Sequence, residues 1–204
     1  MNAYDVIIIG AGSIGTPAAF CLAQEGIKTL VLDSCDSPGQ CSNKTAIGGV
    51  RATHSDPSKI RLSLRSLEIL STWNEVYGDN IEWNKGGYLF VAYGEKEKKT
   101  LKKLLETQKQ YGLKINWISE PEVSHIIKGI NRENLLGGSY SPDDGSTSPL
   151  LTIHAFYRQA TRFGADFHFN ETVNGIQINN GKVNGVTTNL GTYKSGIIIN
   201  AAGP

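Results

Sequence analysis

No apolar run in this chain of 204 residues approaches the ~20 residues that a bilayer-spanning helix needs. The N-terminus has no basic segment and Gly10 cuts its first apolar run short, which excludes a secretory signal reading. Charge of one sign is also missing. Twenty Lys and Arg oppose 19 Asp and Glu, a net +1, so there is no general case for nucleic acid or an anionic membrane as partner. The three cysteines, Cys21, Cys35 and Cys41, form no C-x-x-C. An odd number without a secretion signal points to free thiols in a reducing compartment, the cytoplasm. Cys21 falls mid-helix and reads as core; Cys35 and Cys41 fall in a polar loop, where a redox role is the alternative to plain thiols. His54, His125, His154 and His168 lack metal-ligand spacing. No G-x-S-x-G or Cys/His spacing marks a nucleophile, and none of the histidines reads as a metal ligand.

What the chain does carry begins at its start. Val6 to Ile9 is a short β-branched run suited to a buried parallel strand. Gly10-x-Gly12-x-x-Gly15 follows at once, then a small-residue helical stretch from Thr16 to Gln24. A second apolar run, Thr29 to Leu32, ends in Asp33. Strand, glycine turn, helix, strand and terminal acid together form a dinucleotide-binding unit. Gly10 permits the tight turn, Gly12 lets backbone N–H groups approach a pyrophosphate, and Gly15 lets the helix pack close to the strand. The helix start supplies free donors and a positive partial charge. Asp33 accepts from a ribose diol, and its charge disfavours a 2′-phosphate.

Further on, Asp56-Pro57 opens a helix whose apolar face runs from Ile60 to Trp73 and which Gly78 ends. Ile81–Trp83 and Tyr88–Tyr93 read as strands. Lys96–Tyr111 reads as a charged amphipathic helix with a solvated face. Ser119 and Glu122 mark a helix start, and Leu135–Tyr140 is a strand running into the Pro142-Asp143-Asp144-Gly145 turn. Ser148-Pro149 caps a helix to about Phe163, and Asp166–Phe169 is a strand. Thr172–Ile178, Lys182–Thr188 and Thr192–Lys194 form a three-stranded meander. Gly196–Asn200 is a buried-type strand leading into Ala201-Ala202-Gly203-Pro204. This order predicts an α/β fold: a nucleotide domain of residues 1–78 and 148–204, interrupted by an inserted α+β domain of residues 79–147.

At these motifs the chain resembles the glycine oxidase, sarcosine oxidase and D-amino-acid oxidase family of FAD-dependent amine oxidoreductases. The resemblance runs along essentially its whole length. Its anchors are the opening glycine motif, Gly48-Gly49-Val50-Arg51, Gly86-Gly87-Tyr88-Leu89-Phe90, Pro142-Asp143-Asp144-Gly145 with Pro149, and the terminal Asn200-Ala201-Ala202-Gly203-Pro204. Gly-Gly-Val-Arg followed by Ser55-Asp56-Pro57 looks most like the sarcosine oxidase and proline dehydrogenase β-subunit branch. The resemblance implies a Rossmann-like FAD-binding domain with a β-meander, interrupted by a substrate domain. Gly10, Gly12, Ser13, Ile14 and Gly15 would then hold the pyrophosphate, with Asp33 and Ser34 at the adenosine ribose. Thr45, Ala46, Gly48 and Gly49 would pass along the ribityl chain and ring, Val173 would meet adenine, and Ala201, Ala202 and Gly203 would pack on the nucleotide. Family members are longer, so the C-terminal part of the fold is expected to lie outside this chain, which would be a fragment or be completed by a second subunit. A homo-oligomer stays open.

The activity implied is hydride transfer from the Cα–H of a small-molecule amine or amino acid to FAD, with no protein nucleophile. Arg51 and His54 are the candidates near the reacting groups. Arg51 would place positive charge by a carboxylate or the reduced ring, against a surface ion pair; His54 would be an acid/base group, against a solvated or capping histidine. Tyr88 alternates with Phe90 on one strand face and reads as packing. Rival readings are an FAD enzyme acting on a 2-hydroxy acid or glycerol 3-phosphate, a non-catalytic nucleotide-binding piece, and an NAD dehydrogenase.

Overall fold

The computed structural model describes residues 3–204. In chain order it holds β1 (Val6–Ile9), α1 (Gly15–Gln24), β2 (Thr29–Leu32), β3 (Gly49–Val50), α2 (Pro57–Ser71), α3 (Trp73–Tyr77), β4 (Tyr88–Ala92) and α4 (Glu95–Gln110). There follow β5 (Asn116–Ile118), α5 (Glu120–Ile126), β6 (Gly137–Ser141), β7 (Gly145–Ser146), α6 (Pro149–Arg162), β8 (Asp166–His168), β9 (Val173–Asn179), β10 (Lys182–Thr188), β11 (Thr192–Lys194) and β12 (Ile198–Asn200). Two compact units result, one made of the segment up to Ile47 with Ser148–Pro204, the other of Gly48–Thr147.

The first unit is built on a parallel sheet in the order β12-β1-β2-β8. Its central strands are apolar on both faces, as a doubly covered parallel sheet requires. On one face Ile7, Leu30 and Leu32 pack with Tyr4 and Val186, the last from the antiparallel meander β11-β10-β9. On the other, Ile8 faces α1, close enough that a Cβ on Gly15 would lie 3.1 Å from its Cγ2. α1 in turn packs on α6, where Phe20 meets Phe156 edge-on with ring centres 5.4 Å apart. α1 buries Ala19, Phe20 and Ala23. That spacing turns Cys21 to the opposite, exposed side, so Cys21 is not the core residue its mid-helix position suggests.

In the second unit an antiparallel sheet, β4-β6-β5, packs with α4 and α5. Ala52, Leu67, Leu105, Leu113 and Ile115 form its core. The expected first boundary, after residue 78, is not where the chain divides. β3 pairs with β7, the Ala52 amide donates to Asp144 Oδ1 at 3.1 Å, and Leu67 of α2 packs in the core just described. These contacts commit residues 48–78 to the second unit, which runs Gly48–Thr147. Ile81–Trp83 is not a strand either. Glu82 has φ +56° and its amide donates to Asn80 Oδ1 at 2.8 Å. That side-chain turn breaks the extended path, and pairing begins only at the isolated bridge Asn84–Ser146. Among the described residues no helix is long and apolar enough to cross a membrane.

Candidate functional site

In the first unit the ends of β1, β2 and β12 meet at Gly10. Its amide donates to Leu32 O at 2.8 Å, while the Ala201 amide donates to Ile9 O at 2.8 Å. Gly10 has φ +104°, and a Cβ there would lie 2.3 Å from Ala201 O. No side chain fits. At Gly15 a Cβ would lie 1.9 Å from Gly10 O, so glycine is what lets the first turn of α1 rest on the strand end. Gly12 differs from both: a Cβ there meets nothing within 4 Å. Its missing side chain leaves open space over the turn rather than relieving a clash.

This turn forms the floor of a crevice of about 450 Å³. Among the described residues no side-chain hydrogen bond caps the start of α1, and its first turn holds no acid. A helix start in that condition favours an anion, through free N–H donors and the macrodipole. Asp33 sits where β2 leaves the sheet. Its Oδ2 accepts from the Ala11 amide at 2.6 Å and its Oδ1 from the Cys35 amide at 2.8 Å. The carboxylate is thereby aimed before any ligand arrives, and a carboxylate still has lone pairs for two hydroxyl donors.

Of the residues expected to bind cofactor, Gly10, Gly12, Ser13, Ile14, Asp33, Ser34, Val173, Ala201, Ala202 and Gly203 line this crevice. Gly15 lies behind its floor. Thr45 and Ala46 are not in the lining; they close a short 3-10 turn, Ser42–Thr45, where Thr45 Oγ1 donates to Ser42 O at 2.9 Å and the Ala46 amide to Asn43 O at 3.1 Å. Gly48, Gly49, Arg51 and His54 belong to the second unit.

Other lining residues were not among those expected, and Glu171 is the buried acid among them. Glu171, at the β8–β9 connection, is only 3% exposed. Thr188 Oγ1 donates to its Oε1 at 2.6 Å, Tyr193 OH donates to its Oε2 at 3.2 Å, and His168 Nδ1 lies 3.2 Å from that same oxygen. Its own amide donates to Asp33 O at 2.9 Å. Glu171 thus ties the meander to the end of β2. Burial, followed by the bond to Glu171, pushes the Tyr193 phenol above its ordinary 10.0. The only sequence signal was an acid placed between a turn residue, Asn170 at φ +55°, and an alternating strand. Its partners lie 17 and 22 residues further on, beyond any local pattern.

In the second unit Arg51 and His54 share a cavity of about 260 Å³ with Thr53, Phe90, Gln108 and Ser139. The Arg51 guanidinium lies 5.5 Å from the Tyr88 ring centre and 5.3 Å from that of Phe90, a cation–π placement. Its Nη1 donates to Thr53 O at 2.5 Å. The neighbouring Tyr88 and Phe90 therefore pack beneath a cation rather than in an apolar core. His54 is held by its backbone, whose carbonyl accepts from Gln108 Nε2 at 3.1 Å. Burial first, then the charges of Arg51 and Lys59, hold its imidazole below the ordinary 6.5. At neutral pH it is a neutral proton acceptor. Among the described residues no group of three or more His, Cys, Asp or Glu could hold a metal ion.

A glycine turn, an open helix start and an aimed acid at the carboxyl ends of parallel strands define a dinucleotide-binding α/β protein. The family model described as FAD dependent oxidoreductase matches residues 5–204. The chain belongs to that family, and its cofactor is FAD. It is 28% identical over 210 residues to glycine oxidase of Bacillus licheniformis, covering 98% of this chain and 54% of that protein. It is 30% identical over 173 residues to monomeric sarcosine oxidase of Streptomyces avermitilis, covering 82% of this chain and 44% of that protein. Among solved structures, L-proline dehydrogenase from P. horikoshii superposes with a TM-score of 0.93 at 30% identity, covering 98% of this chain and 53% of that one. The chain spans about half the length of these relatives.

Proposed function

We propose that this chain forms the FAD-binding and part of the substrate-binding portion of an enzyme that oxidises the C–N bond of an amino acid or N-alkyl amino acid, of the sarcosine, glycine, proline or D-amino-acid type. The observation that carries the reading is the crevice itself, with its glycine floor, open helix start and aimed Asp33, in a chain similar to three amine-oxidising proteins. Backbone donors from Gly12 to Ile14 would hold the pyrophosphate, with Gly10 and Gly15 making room for them. Asp33 would accept from the adenosine ribose beside Ser34. Val173 would border the adenine, and Ala201, Ala202 and Gly203 would permit close approach. Thr45, Ala46, Gly48 and Gly49 would follow the remainder of the cofactor.

FAD, when bound, supplies the acceptor for the hydride leaving the substrate Cα. The chain's own contribution is positioning and charge. Arg51 offers a cation, stacked and partly desolvated, to a substrate carboxylate. His54, neutral at working pH, can take a proton from the substrate ammonium so that the amine reacts in its free form. A cytoplasmic setting belongs to this reading.

The test is the visible spectrum of the purified chain before and after addition of FAD and desalting, followed by anaerobic mixing with sarcosine, L-proline, glycine or D-alanine. Retained flavin that one of these bleaches is the expected result. Bleaching by 2-hydroxyglutarate or glycerol 3-phosphate instead would overturn the amine reading.

A further inference from the structure

We propose that Cys35 and Cys41 are a reversible dithiol–disulfide couple that fastens one wall of the nucleotide crevice. Their sulfurs lie 3.2 Å apart, with both residues in the first unit. Gly39, at φ +77°, turns the chain back between them. Cys35 is fixed to the end of β2 and to the β8–β9 connection. Its amide donates to Asp33 Oδ1 at 2.8 Å, and its carbonyl accepts from the Asn170 amide at 2.8 Å. Cys41 lines the crevice with Ser42 and Asn43, and Asn43 Nδ2 donates to Pro149 O at 3.2 Å, at the start of α6. The segment between the sulfurs hangs on the glycine turn, since the Gly39 amide donates to Ala11 O at 3.0 Å. A disulfide would join β2 to this wall by closing the sulfur gap by only about 1 Å.

The two sulfurs differ in the way the exchange chemistry requires. Cys41 is exposed, whereas Cys35 is half-buried. The hydrogen bond to Cys41, then burial, then the charge of Asp33 push the Cys35 thiol up to about 11. Cys41, the sulfur open to solvent, is the one a bulky oxidant reaches first. With oxidised glutathione as oxidant, the Cys41 thiolate bonds to one glutathione sulfur, and the S–S bond of the oxidant breaks to release one glutathione thiolate. Capping Cys41 removes the bond that did most to hold the Cys35 proton. Cys35 then releases that proton to solvent and bonds to Cys41 Sγ, and the second glutathione leaves. Two protein thiols are oxidised and one low-molecular-weight disulfide is reduced to two thiols. Reduced glutathione reverses both steps.

The experiment treats the purified chain with oxidised glutathione, then with dithiothreitol. Mass spectrometry follows the peptide that contains both cysteines, and hydrogen exchange follows the amides of residues 36–43. A peptide lighter by two hydrogens, restored by dithiothreitol, is expected, with exchange about tenfold slower in the oxidised form. Cys35→Ser should stop at a stable glutathione adduct on Cys41, and Cys41→Ser should give neither adduct nor link at this loop. A persistent adduct on the unmodified chain, a link to Cys21, or a link that leaves exchange unchanged would overturn the couple. None of these readouts uses flavin, so the couple can fail while the amine-oxidising reading stands, and the reverse.

Discussion

The crevice of the first unit and the cavity of the second are built from different materials. The crevice is made of backbone: Gly10, Gly12 and Gly15 remove side chains, the helix start offers N–H groups, and Asp33 is held by two amides. The cavity is made of side chains: Arg51 over Tyr88 and Phe90, with His54 beside it. A backbone site binds what all members of a cofactor class share, a pyrophosphate and a ribose. A side-chain site can be changed residue by residue without disturbing the main chain. The contrast suits a division between a constant cofactor and a variable substrate.

Gly15→Ala should break the first half of that contrast most severely. Its Cβ would lie 1.9 Å from the Gly10 carbonyl oxygen, so the helix must lift away, at a cost of about 3 kcal/mol. Urea unfolding should show the loss, and the flavin bands should not survive desalting. Asp33→Ala comes next. Removing a charge-assisted acceptor should weaken ADP binding by about 10- to 100-fold, read by calorimetry; unchanged affinity would detach Asp33 from the nucleotide.

In the second unit Asp144 gives a paired test. It is fully buried, and that burial raises its carboxyl above the ordinary 3.8. Asp144→Ala orphans the Ala52 amide and should cost about 1–3 kcal/mol. Asp144→Asn keeps the acceptor and removes the buried charge, and at neutral pH should equal or exceed the parent in stability. Equal losses in the two variants would show that the charge itself matters.

The smallest expected effect concerns His54. Its folded pKa lies below 6.5, so the unfolded chain binds the proton first. The associated stability is present above 6.5 and declines as pH falls through the folded value. His54→Asn should flatten that slope in urea midpoints taken between about pH 5 and pH 8; an unchanged slope would assign it to another group.

The same contrast sets what the sequence reveals. Glycine spacing, the strand before it and the acid after it are local, so the floor of the crevice and Asp33 are legible from the chain alone. So are the caps: Asp56 Oδ1 accepts from the Lys59 amide at 3.0 Å, and Glu122 accepts from the Ser119 amide at 2.7 Å. Glu171 is not legible, because its hydroxyl partners come from distant strands of the meander. Nor is the boundary at Gly48, because it depends on the β3–β7 pairing and the reach of Asp144 to Ala52, 92 residues away. Ile81–Trp83 has the composition of a strand, and only the turn at Glu82 overrides it.

The pairing of Ile7 with Ile198 also has a kinetic meaning. β1 and β2 are made first, yet their outer neighbours β12 and β8 arrive only after all of Gly48–Thr147 has been synthesised. Closing so long a loop is entropically costly, and contacts of such high sequence separation form late. The contiguous unit can mature on the ribosome while the parallel sheet is still half a sheet. Pulsed proteolysis during synthesis should therefore protect Gly48–Thr147 before Val6–Leu32. β1 and β2, though translated before β8 and β12, would be among the last elements to reach their final partners.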